Sequence, residues 1–138
     1  MVMVLNTSHT DRKVDRQIST LVGEAFSILK RFEMRGIGSP KLEILQASTD
    51  LHTLLSVNQD RLRCSIELRP KGILIHFKSR LDTYALPIPY HKLSIYKGEA
   101  ATYSLFMDQH KIKFSATDPK VKAFIAKVLH EKVQFLGQ

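Results

Sequence analysis

Cysteine is scarce in this sequence, and its scarcity limits the chemistry of the chain. Cys64 is the only cysteine among 138 residues, so the chain can form no intrachain disulfide and no zinc site built from several cysteines. It lies on the apolar side of an alternating segment, which predicts a buried, unreactive thiol. No segment reaches the ~18 consecutive apolar residues that a membrane-spanning helix requires, and the opening MVMVL is too short for a signal peptide. We therefore expect a cytoplasmic protein.

Signatures of catalysis and of metal binding are missing too. The six histidines stand at no HxH or HxxxH spacing, and the sequence has no GxSxG elbow. We therefore expect no metal and no other cofactor, and a small enzyme is the least favoured of three functional hypotheses. Such an enzyme would use His76 or His91 as an acid-base group in a pocket at the open end of a sheet.

The chain is basic, with 21 lysine and arginine residues against 13 aspartate and glutamate residues. A surplus of this kind suggests nucleic acid or anionic lipid as a partner. The basic and acidic residues number 6 and 4 in residues 1–40, 11 and 7 in residues 41–117, and 4 and 2 in residues 118–138. The surplus is thus spread along the chain without a dense run, which weakens the nucleic-acid hypothesis.

Apolar residues at helical spacing predict a long N-terminal helix. From Val14 to Phe32 they recur every three or four positions and form one broad stripe. Thr10 or Asp11 can cap its start, and Gly36 can end it. A heptad pattern is also satisfied, by Val14, Ile18, Leu21, Ala25, Ile28 and Phe32. This stripe is expected to pack on the protein's own sheet or, as the alternative, to form a dimer interface.

Period-two alternation predicts a sheet of about seven strands beyond residue 40. The segments are residues 41–47, 61–69, 73–78, 83–87, 91–96, 101–107 and 111–116, whereas residues 48–60 fit either a short helix or a packed loop. A final apolar stripe in DPKVKAFIAKVLHEKVQFL, which follows the candidate caps Thr117 and Asp118, predicts a C-terminal amphipathic helix with Pro119 in its first turn.

The turn RPKG gives an expected register for the hairpin around it. A two-residue loop at residues 71–72 pairs Pro70 with Ile73 and puts the apolar residues of RLRCSIELR and ILIHFK on one core face. It also sets Glu67 opposite His76 on the outer face, where a cross-strand pair is natural. A three-residue loop would instead turn His76 toward the core, so apolar pairing favours the shorter loop.

Two prolines interrupt the segment LPIPYHKLSIY, and because proline cannot donate to a strand ladder we expect a strand boundary or a sheet edge there. The phrase IPYHKLSIY resembles the start of a middle strand in bacterial pleckstrin-homology-like (PH-like) and GRAM-type domains. Ile88, Pro89, Tyr90 and Leu93 carry the likeness. The ending IKFSATDPKVKAFIAKV is similar to the way those domains finish.

We therefore expect an α+β fold in two parts that form a single structural unit. Residues 1–40 make a helical extension, which the minimal PH-like domain lacks. Residues 41–138 make a strongly bent antiparallel sheet whose apolar opening is capped by the C-terminal helix, in the manner of a PH-like barrel.

Six basic residues gather around the first hairpin: Arg61, Arg63, Arg69, Lys71, Lys78 and Arg80. Arginine donates paired hydrogen bonds to phosphate, and the resemblance to PH domains implies an anionic site of this kind. A solvated face interrupted by Glu67 is the favoured interpretation. Single-stranded nucleic acid would also need exposed aromatic residues among the basic ones. Phe77 is expected in the core, so we do not expect nucleic acid as a partner.

Two binding hypotheses therefore stand ahead of the enzyme. The first is a non-enzymatic binding or scaffold domain that contacts a protein partner, or a second copy of itself, through its sheet or its N-terminal helix. The second is a peripheral module that binds anionic lipid through the six basic residues, and its binding to liposomes would weaken with salt.

Overall fold

The alternating segments fold into one antiparallel sheet. The structure, a computed structural model, describes residues 4–48, 51, 63–79, 81–108 and 110–137. In these residues the strands are β1 (Leu5–Asn6), β2 (Leu42–Ala47), β3 (Arg63–Arg69), β4 (Gly72–Ser79), β5 (Asp82–Pro89), β6 (Ser94–Lys97), β7 (Thr102–Met107) and β8 (His110–Ser115). The helices are α1 (Arg12–Val22), α2 (Ile28–Glu33) and α3 (Pro119–Leu136), and a single 3-10 turn covers Tyr90–Lys92.

The sheet order is β1-β5-β4-β3-β2-β8-β7-β6, and the sheet is open, with β1 and β6 at its edges. The predicted α+β class, with an antiparallel sheet and a C-terminal helix, is confirmed. Most of the ambiguous segment 48–60 lies outside the described residues, although Leu51 is described and is buried.

Alternation within the strands decides which side chains are buried. The predicted core face of the β3–β4 hairpin is confirmed, since Cys64, Ile66, Leu68, Ile73, Ile75 and Phe77 are all at most 6% exposed. Helix α3 covers this core with Val121, Phe124, Ile125 and Val128. Full burial of side chains of this size contributes ~1.5–3 kcal/mol each, so the covering helix supplies a substantial part of the stability.

The hairpin register differs from the expected one by two residues. The loop consists of Pro70 and Lys71, and Arg69 rather than Pro70 opens the ladder by pairing with Gly72. The physical reason is that proline has no N–H for the ladder and suits a turn position. A shift of two residues leaves every side chain on its predicted face, but Ser65 instead of Glu67 now lies opposite His76.

Pro87 and Pro89 lie among the last three residues of β5, and the expected strand boundary is present, because β5 ends at Pro89 and the 3-10 turn Tyr90–Lys92 follows. The two prolines pair with Leu74 and Gly72 of β4. On the other side of β5, the short strand β1 pairs only with Tyr84 and Ala85. Alternate residues of β5 direct their backbone N–H groups toward β1, and positions 87 and 89 belong to that set. Because both are prolines, they lack the N–H donors that a longer β1 would need.

The predicted single N-terminal helix is wrong, because the chain breaks at Gly23. This residue has φ +86°, and its N–H donates to the Ser19 carbonyl at 2.9 Å. Residues at the β3–β4 turn donate to carbonyls at the end of the helix. The Lys71 N–H donates to Val22 O at 2.9 Å, and Arg69 Nη1 donates to Gly23 O at 3.1 Å. A tertiary contact therefore ends α1 where the apolar stripe alone would continue it.

Helix α1 packs on the protein's own sheet. Ile18 and Val22 are buried against Leu74 and Ala85, on the face of β4 and β5 opposite the main core. Val14 and Leu21 are partly buried beside them. The first half of the heptad stripe is thus satisfied within the chain. Asp11, one of the two predicted caps, accepts a hydrogen bond from the Lys13 N–H at 2.8 Å.

Gly72→Ala is expected to destabilise the protein by about 1–3 kcal/mol. A Cβ at this position would lie 2.3 Å from Ile88 O and 2.8 Å from Val22 Cγ1, so β5 or α1 would have to move. The free energy of unfolding in urea at neutral pH measures the effect.

Gly38→Ala is the matched control, since a Cβ at Gly38 meets no atom within 4 Å. We expect it to change the unfolding free energy by less than about 0.5 kcal/mol. Equal losses in the two variants would contradict the close approach at Gly72.

Candidate functional site

Helix α2 exposes three large apolar side chains on a domain that buries most others. Ile28 is 85% exposed, Leu29 71% and Phe32 85%. These three residues are called the α2 face below. Ile28 and Phe32 belong to the predicted interaction stripe, and Ala25, another of its residues, is exposed in the segment between α1 and α2. The break at Gly23 therefore splits the stripe into an inward half on α1 and an outward half on α2.

The outward direction of the α2 face is fixed by contacts at both ends of the helix. The Ser27 hydroxyl accepts from the Lys30 N–H at 3.2 Å and caps its start. Beyond its end, Lys127 of α3 donates to Met34 O at 3.1 Å and to Gly36 O at 3.2 Å. Phe26 and Met34, on either side of α2, pack against the main core. Contacts with the core and with α3 thus hold the helix in place, while its three apolar side chains point away from the domain.

The four described residues of the predicted anionic site are not all brought together. Arg61 and Arg80 lie outside the described residues. Arg63 and Lys78 are exposed side by side near one end of the β3–β4 hairpin, and Lys71 is exposed at the other end. Six residues of strand separate Arg63 from Arg69, a distance of about 20 Å. A single headgroup cannot bridge that distance.

Arg69 is already engaged in a partly buried ionic cluster. Its Nε donates to Glu67 Oε2 at 2.6 Å, and His76 Nε2 lies 2.9 Å from Glu67 Oε1. The predicted Glu67–His76 pair therefore forms, although diagonally across the strands. Partial burial opposes ionisation of the Glu67 carboxyl, but the hydrogen bond from His76 and the charge and hydrogen bond of Arg69 outweigh it and lower its pKa. Through Arg69 and Gly23 the cluster ties the sheet to the end of α1.

Within the described residues, the surroundings of His76 and His91 do not form the pocket that the enzyme hypothesis requires. His91 is exposed in the 3-10 turn, and His76 belongs to the ionic cluster on the outer face. Neither lines the groove beside α1, which involves Lys13, Arg16 and Leu21. A separate cavity next to Leu51 and Met107 measures only about 10 Å³. Cys64 is buried as predicted, and burial raises the pKa of its thiol to about 12, so it is a poor nucleophile.

Over the described part of the chain, no three histidine, cysteine, aspartate or glutamate side chains are grouped closely enough to hold a metal ion. None of the helices in that part has the length and apolar character needed to cross a membrane. Comparisons with known protein families, with curated proteins and with solved structures found no match.

Glu67→Gln is expected to lower the free energy of unfolding by about 1–2 kcal/mol at pH 6, because it removes charge-assisted hydrogen bonds in a partly buried site. The pKa of Glu67 is lowered in the folded state. Its ionic contribution is therefore present above the ordinary glutamate pKa of about 4.3 and is lost as the pH falls below that value. The difference in the free energy of unfolding between wild type and variant should therefore become smaller in urea titrations at successively lower pH.

Glu43→Gln removes the same charge from an exposed position on β2. It is expected to change stability by less than about 0.5 kcal/mol at each pH. A gap for Glu67→Gln that stays constant below pH 4, or widens there, would contradict the ionic role of the cluster.

Proposed function

We propose that this chain is a non-enzymatic binding domain of PH-like fold that associates with a second copy of itself through the α2 face. The observation that carries the proposal is the exposure of Ile28, Leu29 and Phe32 on a helix that is anchored to the domain at both ends. The same proposal assigns the domain to the cytoplasm, with which a single buried thiol is compatible.

The PH-like barrel is supported by the strand arrangement and by the phrase that suggested it. The strands β2 to β5 and β6 to β8 form two antiparallel meanders joined through β2 and β8, and α3 covers their core face. Ile88, Tyr90 and Leu93 are each at most 2% exposed. The Tyr90 ring also contacts Phe135 of α3, with centroids 5.8 Å apart. The residues of the likeness thus connect the sheet to the capping helix.

The α2 face has the character of an interface anchor. Ile28 and Phe32 are spaced at i and i+4, the spacing that amphipathic helices use when they enter an apolar groove. Large apolar and aromatic side chains in the centre of an interface commonly supply most of its binding free energy. Because α2 is already ordered in the domain, its association carries little further loss of backbone entropy.

Charge favours a second copy over an anionic membrane as the occupant. Helix α2 carries both signs, with Lys30 and Glu33 3.8 Å apart on its surface. Two copies related by a two-fold axis perpendicular to the helix present α2 in opposite directions, so each Lys30 lies near the partner's Glu33. An anionic membrane would attract Lys30 and Arg31 but repel Glu33, whereas a second copy can pair with charges of both signs.

Light scattering of the full chain over a concentration series tests the proposal. Three side chains per copy make an interface at or below the low end of the ~1,200–2,000 Å² typical of stable complexes, so the dimer is expected to dissociate on dilution to 15.8 kDa. The double variant Ile28→Ser and Phe32→Ser should raise the dissociation constant by about 30-fold or more. Its melting temperature should remain close to that of the wild type, since both side chains are exposed.

Leu81→Ser is the matched control, because Leu81 is 99% exposed in the β4–β5 turn, whereas the segment after α2 bonds to Leu68 near the opposite end of the β3–β4 hairpin. It should leave the dissociation constant unchanged. A wild type that stays at 15.8 kDa at the highest concentration would overturn self-association. Binding of anionic vesicles that the α2 variant abolishes would favour the lipid hypothesis instead. Removal of all residues before Ser39 is not a clean test, because it would also expose the sheet face under α1.

A further inference from the structure

The outer face of β6, β7 and β8 combines one exposed and one partly buried aromatic ring with lysines. Ile95, Leu105, Ile112 and Phe114 point to the core from these strands. The intervening positions Tyr96, Phe106, Lys111 and Lys113 point to the other side, and these four residues are called the aromatic-lysine face below. Tyr96 is 61% exposed. None of the four was a candidate from sequence, and this face is separate from the α2 face.

The four side chains lie close together across three paired strands. Phe106 pairs with Lys111, while Tyr96 and Lys113 both pair with Ser104. The rings of Tyr96 and Phe106 meet edge to face, with centroids 5.4 Å apart and planes at 78°. Lys111 Nζ lies 5.6 Å from the Phe106 ring centroid. Phe106 therefore holds both neighbours in place, and the exposed ring of Tyr96 can accept a stacking partner.

Charge on this part of the sheet has one sign. The strands SIYK, TYSLFM and HKIKFS carry three lysines and no aspartate or glutamate. Asp108, in the turn between β7 and β8, lies 3.9 Å from Lys92. By contrast, β3 and β5 contain Glu67 and Asp82. A ligand for this face should therefore be an anion that also presents flat aromatic groups.

We propose that the aromatic-lysine face binds single-stranded nucleic acid. A base stacks on Tyr96, and the adjacent phosphates pair with Lys111 and Lys113, which is the combination of aromatic platform and cationic groove that single-strand binding uses. A duplex hides the faces of its bases inside the stack, so it cannot engage Tyr96 in this way. A membrane is the poorer match, because both rings belong to strand residues and neither protrudes from a loop.

Fluorescence anisotropy with labelled oligo-dT and oligo-U tests this inference. The oligonucleotides are about 12 nucleotides long, a length within the ~4–16 nucleotides that one OB-fold domain contacts. Tyr96→Leu keeps an apolar side chain against Phe106 but removes the stacking ring, and should weaken binding by about 5- to 100-fold. Lys111→Gln combined with Lys113→Gln should weaken binding and reduce the slope of log affinity against log salt by about 1–2.

Tyrosine emission gives a second readout that does not depend on a destabilising change. The chain has four tyrosines and no tryptophan, so stacking on Tyr96 should quench a measurable part of the emission. Tyr96→Phe preserves a stacking ring, and is expected to keep the affinity within about 3-fold while losing that part of the quenching.

The double variant Lys120→Gln and Lys122→Gln is the charge-matched control, since both residues are exposed in the first turn of α3. Affinity should fall much less in the control than in the Lys111 and Lys113 pair. The inference is overturned if the wild type binds no oligonucleotide, if the two lysine pairs lose affinity equally, or if a duplex of equal length binds as tightly as the single strand. Anionic vesicles that bind through Tyr96 and Lys111 in place of oligonucleotides would overturn it in favour of a membrane.

Discussion

The close approach of α1 to the β3–β4 turn is the constraint on which the rest of the structure depends. Because Gly72 has no Cβ, Val22 and the β5 backbone can occupy the space beside it. The Lys71 N–H and the Arg69 guanidinium then donate hydrogen bonds to the carbonyls of Val22 and Gly23 at the end of α1. These contacts end the helix, hold α1 over the outer face of β4 and β5, and set the direction of the chain that follows. Glu67 and His76 hold the arginine of this turn in position.

The direction of the chain after Gly23 explains why one apolar stripe has two different environments. Phe26 and Met34 turn inward to the core, so the short helix between them must present Ile28, Leu29 and Phe32 outward. A continuous helix would have placed Val14 to Phe32 on one surface, where packing within the chain and dimer formation compete. The break separates these roles, since α1 packs on the sheet and α2 is left for a partner.

Local patterns predicted much of this fold, and tertiary contacts account for the errors. The period-two strands, the cap Asp118 and the core face of the hairpin follow from residues close in sequence, as does the burial of Cys64. The break at Gly23 does not, because Arg69 and Lys71, which donate to the carbonyls of Gly23 and Val22, lie far along the chain. The sequence therefore predicted that residues of the α2 face belong to an apolar helical stripe, but not that they form a separate exposed surface. Tyr96 and Phe106 required the register of three strands before their contact with Lys111 could be recognised.

The two proposed surfaces differ in chemistry, so they bind different partners. Association through the α2 face would increase the affinity of the aromatic-lysine face for its ligand. Helix α2 offers both charge signs around an apolar centre, which suits an identical copy, whereas β6 to β8 offer lysines alone around aromatic rings. Through Lys127, α2 is attached to α3, and α3 packs on the core side of the sheet, opposite the aromatic-lysine face. Association through α2 would thus join two such faces in one particle. When one face binds a single-stranded nucleic acid, the second face of the dimer meets the same molecule at a high effective concentration. Two sites that are each weak then suffice for tight binding.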